Sequence, residues 1–459
     1  MRNAAHRSDP WAPYSATASD PWDLRRVVHL HRRAGFGATW LELERDLADG
    51  PEAAIDRILT GRSRASGVPD DFDHISGLIA DAAVQSGDLG RLQAWWVYRL
   101  LFSPDPLGER LTLLWHNHFA TSNEKVQDLH AMRRQNETHR RLGRARFGEL
   151  LAAAIREPAL LLYLDAPANR KGRPNENLAR ELMELFTLGI GHYTESDVKA
   201  AARALTGWTA EDGKLRELSA EHDDGEKTIL GKTGRWSGSQ LVAMLADQPA
   251  TAHRLASRLC GLFMGEQAVD APAVAALAVG LRDHHLDIGW GVETILRSQG
   301  FFASANIRTR VLGPAEFVIG ACRTLLPLAP PPSTLALAGW IRHLGQDLFN
   351  PPNVGGWPEG RAWLTGTSII ARTRFASALV EGRSIGLPDP IDASSMARAQ
   401  GRTTSSFDAI ADAAAMLLHG STLSLRERRR MAPMIPDGTP ESLRRAVALV
   451  VASPESQLA

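Results

Sequence analysis

The chain has 459 residues, 44% of them apolar and 23% charged, with a formal net charge of zero. That length allows one large unit or two to three packed lobes, and the composition is that of an ordinary globular protein, not a disordered or fibrous one. Zero net charge lacks the basic excess that marks a nucleic-acid partner, so none is expected. The two cysteines, Cys260 and Cys322, sit in apolar surroundings without metal-ligand spacing and read as buried thiols. No run reaches the ~20 apolar residues of a membrane-spanning helix.

Residues 1–22, interrupted by Pro10, Pro13 and Pro21, read as a flexible N-terminal arm. The arm lacks the apolar segment of a secretory signal, and Arg25-Arg26 is followed by two histidines and two further arginines, so the expected location is cytoplasmic. Residues 23–459 read as mainly α: one large multi-helix globular domain, with two lobes allowed by a Pro-rich break at 327–332. Thr39 and Glu42 form a capping-box pattern that starts a helix from Trp40 to about Ala48. Apolar periodicity predicts helices over Leu89–Phe102 and Glu109–His118, with Pro104 and Pro106 ending the first. Charged and apolar helices follow at Asp128–Arg140 and Phe147–Ile155. A loop spans Tyr163–Pro174, and helices resume at Asn175 and, behind the Thr194/Asp197 capping box, at Glu195. Two excursions rich in Gly, Pro or Trp lack helical periodicity, Glu211–Ser239 and Asn350–Thr367. Helical patterns return at Leu241–Leu245, Thr251–Phe263, Ala273–His284, Gly291–Ser298, Ala409–Leu417 and Pro440–Ala452, while Ala397–Ser405 reads as a mobile linker.

Four segments carry a family resemblance. They are His29-Leu-His-Arg-Arg-Ala-Gly-Phe-Gly37, Trp115-His-Asn-His-Phe-Ala120, Asn175 through Gly189 continuing to Trp208, and Pro351-Pro-Asn-Val-Gly-Gly-Trp-Pro358 with Trp363. Taken together, from about residue 24 to the end, the chain resembles the bacterial domain of unknown function 1800 family. The resemblance implies a largely helical bacterial protein, often encoded near a sulfatase-like companion, and no established reaction. Relatives often look exported, unlike the cytoplasmic expectation drawn from this N-terminus.

The helix opening at Asn175 carries the clearest chemistry. At about 100° per residue, Asn177, Arg180, Glu181 and Glu184 share one arc, and Leu178, Leu182, Leu185 and Phe186 share another. Two carboxylates at i and i+3 on one face can hold a divalent metal ion or divide into an acid and a base. The same spacing also describes an ion-pair ladder from Glu176 through Arg180 to Glu184, or a buried structural network. His116 and His118 lie about 200° apart on a helix, so they share an ion only if the helix ends between them. His118, nearer the loop, is the preferred general base or single ligand, against the reading of two satisfied core histidines.

His192 and Tyr193, in the turn before Thr194, are candidates for lining a pocket. Asn353 and Trp357 can stack on or bind a sugar or planar ligand, or their loop can simply be stapled to the helices beneath. Gly231-Lys232-Thr233-Gly234 is not a phosphate loop, because the Walker pattern needs glycine where Glu226 stands.

These residues make a hydrolase- or lyase-like enzyme the leading expectation. Glu181 and Glu184 would act as acid and base or hold a divalent metal ion, Arg180 would bind an anionic group, and His118 would assist. Asn177, His192, Tyr193, Asn353 and Trp357 would bind the substrate, a small molecule or saccharide. The rival expectation is a non-catalytic scaffold that acts with a companion protein.

Overall fold

The computed structural model describes residues 9–61, 71–265, 269–403, 406–435 and 438–459. Among these, 24 α-helices and two two-stranded hairpins give the mainly α architecture expected from the patterning. Local signals set the boundaries. Thr39 accepts the Glu42 amide while the Glu42 carboxylate accepts the Thr39 amide at 2.8 Å, starting the helix Trp40–Asp49. Thr194 and Asp197 start Glu195–Ala204 in the same way. Pro106, expected only to end a helix, occupies the first turn of the next, where its missing N–H costs nothing, so that helix runs Pro106–His118.

The excursion at 211–239 resolves into two hairpins, Trp208–Glu211 with Lys214–Glu217 and Lys227–Ile229 with Lys232–Gly234. Leu230 and Gly231 both have positive φ, 49° and 76°, as a two-residue type I′ turn requires. Strand follows strand here, so no helix N-terminus stands behind Gly231 to receive a phosphate.

Two expectations fail. Residues 9–22 are not a loose arm: Trp11 Nε1 donates to the Ala273 carbonyl at 2.9 Å, the Tyr14 amide donates to the Arg297 carbonyl at 2.8 Å, and Tyr14 is buried. The aromatic side chains among the prolines supply the anchors that the turn signals hid. Nor is the segment from Ala397 wholly a linker, because Ala397 lies within the helix Ala393–Arg398 and is buried in the core. Residues 1–8 of the arm and 404–405 of the linker lie outside the described residues.

Apolar side chains collect into two clusters. One gathers Leu92, Trp96, Phe317, Leu379 and Val447, the other Leu111, Trp115, Phe186, Leu259 and Ile295. The helix Pro106–His118 runs between them, sending Leu113 to the first and Leu114 to the second. The Pro-rich break at 327–332 falls inside one cluster, since Pro314–Leu325 and Thr334–His343 on either side both feed it through Phe317 and Leu337. Among the described residues no helix is long and apolar enough to cross a membrane.

Polar bonds hold the quoted segments to this frame. Asp46, fully buried, accepts His31 Nε2 at 2.7 Å, Arg45 Nε at 2.8 Å and Arg57 Nε at 2.9 Å. Burial pushes its pKa up, but the hydrogen bonds from His31 and Arg45 outweigh that and hold it at about 2. In the loop 350–367, Trp357 is buried and stacks on His116, with centroids 5.4 Å apart. Its amide donates to Asn117 Oδ1 at 2.6 Å. Gly356 has φ 91° and lies against Asn117, where a β-carbon would collide with both its side chain and its carbonyl.

Asp46→Asn is expected to cost about 3 kcal/mol of unfolding free energy at neutral pH, because it leaves the half-buried Arg45 and Arg57 facing a neutral amide at a fully buried position. The folded pKa of about 2 lies below the unfolded value, so the carboxylate stabilises the fold above the unfolded value and that contribution disappears as pH falls through the folded one. Urea denaturation of wild type and variant should therefore converge in acid; a gap of constant size at all pH values would refute the assignment. Gly356→Ala is expected to lose about 2 kcal/mol or more, from positive φ and overpacking together. Tryptophan fluorescence should report the unseating of Trp357, and an unchanged spectrum with unchanged stability would show that the loop is not clamped there.

Candidate functional site

Asn175 prepares the polar helix rather than opening it. Its Oδ1 accepts the Asn177 amide at 2.9 Å, and its own amide donates to Asn169 Oδ1 at 2.9 Å, so the α-helix begins at Asn177. The Asn177 side chain donates to Asp165 Oδ2 at 3.1 Å, and Lys125 pairs with the same carboxylate at 2.8 Å. The helix start is thus tied to the loop 163–174. Leu178, Leu182 and Phe186 are buried while Asn177, Arg180, Glu181 and Glu184 are half-buried, which is the two-faced pattern expected. Leu185 sits between the two faces, half-buried.

From Leu182 to Thr187 the helix widens into a π turn, in which the Leu188 amide reaches back five residues to the Met183 carbonyl at 2.8 Å. Such turns recur at functional sites. At its end the Leu185 carbonyl accepts Arg254 Nε at 2.6 Å and the Phe186 carbonyl accepts His118 Nε2 at 3.1 Å. Side chains thereby satisfy backbone groups that the helix leaves open.

His118 is buried, and burial, followed by the charges of Arg258 and Arg254, holds its pKa well below the usual histidine range. It is a neutral donor to the backbone here. The helix continues unbroken through His116, which packs among Trp96, Phe349 and Trp357. The two histidines therefore face different neighbours and do not converge on one ion.

Arg180 joins Glu176 at 2.9 Å and Glu195 at 2.8 Å. One rung of the expected ladder is present, but its far end is Glu195 and not Glu184. Glu184 instead accepts the Tyr193 hydroxyl at 2.6 Å. Burial, and next this bond, push the Tyr193 pKa up to about 12. Burial and the neighbouring Glu184 raise the pKa of Glu181 above the ordinary carboxylate range, against a smaller opposing effect of Arg180. Burial, and next Arg258, lower the pKa of Arg254, against an opposing effect of Glu184. Glu181, Glu184, Tyr193 and Arg254 are thus brought into one electrostatic neighbourhood, with Arg180 at its edge.

His192 is exposed on the adjoining turn. Asn353 lies elsewhere, in the tryptophan loop, where its Oδ1 accepts the Gly355 amide at 2.8 Å and shapes the turn. Glu359 fixes the same loop by accepting from Asn117 Nδ2 at 3.0 Å and Arg258 Nη1 at 2.8 Å. Arg254 and Arg258 stand one turn apart on the helix Pro249–Phe263, so a single helix serves both places.

Beneath the loop is a cavity of about 110 Å³, lined by Arg110, Asn117, Arg258, Arg310, Glu316 and Trp357 among others. Neither Glu181 nor Glu184 lines it. Arg110, Arg258, Arg310 and Glu316 escaped sequence reasoning, because they are single residues on separated segments and form no spaced motif. Among the described residues no three His, Cys, Asp or Glu side chains are placed to hold a metal ion, and Cys260 and Cys322 are free and buried.

All four quoted segments meet in this region. Phe36 lies 5.8 Å from the Arg110 guanidinium, His116 stacks on Trp357, and His118 reaches Phe186. Residues 29–458 match the family described as "Protein of unknown function (DUF1800)". No curated protein and no solved structure matches the chain. With nearly its whole length matched, the chain belongs to the DUF1800 family.

Proposed function

We propose that this protein is an acid–base enzyme of the hydrolase or lyase kind, with Glu181 and Glu184 as its working pair. The observation that carries the reading is the difference between two adjacent carboxyl groups. Glu181 is drawn toward its protonated form by burial and by Glu184, while Glu184 receives the Tyr193 hydroxyl at 2.6 Å. Neighbouring groups with separated environments are the usual basis for dividing acid and base roles.

In this reading Glu181 gives a proton to a leaving group, and Glu184 takes one from water or from a substrate carbon. Tyr193 orients Glu184, and Arg254 supplies positive charge for an anionic group. Arg180, held by Glu176 and Glu195, orders the start of the helix; His118 holds its π turn. Asn177 is a positioning residue through Asp165, and His192 stands exposed at the rim for a small-molecule or saccharide substrate. Glu181 and Glu184 are also the protein donors a divalent ion would use there, with water completing its shell. A non-catalytic, companion-binding role is the second reading, favoured by Glu181 and Glu184 lying outside the cavity beneath the tryptophan loop.

A panel of ester, glycoside and β-elimination substrates tests the proposal. Glu184→Gln is expected to lower kcat on any accepted substrate by about 10²–10⁴-fold with the fold intact by circular dichroism. The raised pKa of Glu181 penalises its charged form, so the folded state loses stability as pH rises from the unfolded toward the folded value. Glu181→Gln should therefore raise Tm at neutral pH and leave it unchanged in acid, while abolishing turnover. Activity retained in Glu184→Gln, or no turnover by the wild type anywhere in the panel, overturns the enzymatic reading.

A further inference from the structure

We propose that the cavity under the tryptophan loop is a binding site for a small organic monoanion, a carboxylate carried on an apolar body. It stands apart from the Glu181 and Glu184 reading, since neither residue lines it. The inference begins with Arg110, which is 1% exposed on the helix Pro106–His118 and faces the cavity. Its Nη1 is paired with Glu316 Oε1, an atom that Arg310 Nη1 also reaches at 2.7 Å. The other oxygen of Glu316 accepts the Gly313 amide at 2.6 Å, so this carboxylate is fully committed.

Nε and Nη2 of Arg110 are buried and meet no acceptor among the described residues. Arg258 also keeps a buried Nε without an acceptor there, although its Nη1 holds Glu359. Two donors of Arg110 and one of Arg258, all on side chains that line the cavity, are therefore left over after Glu316 and Glu359 are counted. Buried cations with idle donors are unfavourable unless an anion completes them, and a guanidinium edge matches a planar carboxylate in two hydrogen bonds.

The remaining wall decides the class of ligand. Leu113, Leu114, Leu262, Trp357 and Trp363 line it, an apolar and aromatic surface that a hydrated inorganic ion would not use. A cavity of about 110 Å³ is well above the ~15 Å³ that holds one water and well below the ~300 Å³ or more of a drug-sized site, so the anionic head and part of a ring are the natural occupants. Glu359 is exposed at the mouth, where the rest of a ligand can extend. The idle Nε and Nη2 of Arg110 form one edge of a single guanidinium, which takes one carboxylate in two hydrogen bonds, so the ligand is a monoanion.

Isothermal titration of the full chain with benzoate, acetate and inorganic phosphate tests the site. Benzoate is expected to bind one to one and about tenfold more tightly than the other two, through its apolar contact. Arg110→Met should abolish that binding. Because Arg110 is also paired with Glu316, this variant can fail to fold; Glu359→Gln then decides. Removing the carboxylate at the mouth should tighten benzoate about threefold, a gain that unfolding cannot imitate. No benzoate binding, equal binding of phosphate or acetate, retention of binding in a folded Arg110→Met, or no gain in Glu359→Gln would each overturn the proposal.

Discussion

Charge removed from water inside the helical packing is the constraint on which this molecule is built. A buried guanidinium demands an acceptor, and hydrophobic contact, being non-directional, cannot supply one. Glu109 answers for Arg99 and Arg140, each at 2.7 Å, and Glu316 answers for Arg110 and Arg310. Burial raises the pKa of Glu109, but Arg140 and Arg99 more than reverse that and hold it in its charged form. Glu109 joins its helix to the neighbouring Leu89–Phe102 and Leu129–Leu142, and Glu316 ties Pro314–Leu325 to Pro106–His118, far away in the sequence. Two packed apolar surfaces can slide by a fraction of a turn at small cost, whereas a carboxylate between two arginines loses both partners if they do.

The helix Pro249–Phe263 shows how this frame positions chemistry. Leu255, Leu259 and Phe263 bury one of its faces. On another face Arg254 reaches the Leu185 carbonyl and Arg258 reaches Glu359. One element therefore sets both the end of the π turn that carries Glu184 and the tryptophan loop that roofs the cavity. His118, charged against by both arginines and bonded to Phe186, stands between them. A shift of this helix would alter the two places together, which makes it the mechanical link between segments that lie some 170 residues apart in the chain.

What could be seen in the sequence was what depends on short-range spacing. The capping pairs Thr39 with Glu42 and Thr194 with Asp197 marked helix starts because they act within one turn. The faces of the 177–186 helix were legible because apolar residues recur at helical intervals. Partners were not: Arg180 has Glu176 and Glu195 at similar reach, and only the fold of the turn at 189–194 brings Glu195 close and gives Glu184 to Tyr193. His118 looked like chemistry because a histidine beside a loop is free in sequence terms; the π turn that claims its Nε2 has no signature in residue spacing. The arginine cavity was least visible, since Arg110, Arg258 and Arg310 come from three separate segments and nothing local distinguishes them from other arginines.

The two buried carboxylates also show how a structural charge network differs from one built to receive a ligand. Glu109 and Glu316 each serve two arginines, so each leaves guanidinium donors for other acceptors. Around Glu109 those donors are matched within the protein: Arg99 turns its remaining ones to Asp73 and Ser76, and Arg140 gives its Nη2 to Asn136 as well as to Glu109. Around Glu316 the accounts of the two partners differ. Arg110 is more enclosed than Arg99, yet its Nε and Nη2 find no acceptor among the described residues and it borders a cavity. A network evolved only to hold helices together gains nothing by leaving half a guanidinium unmatched, because each idle buried donor weakens the fold. What separates Arg110 from the other arginines is that both its Nε and its Nη2 lack an acceptor among the described residues, on a side chain that borders the tryptophan-lined cavity.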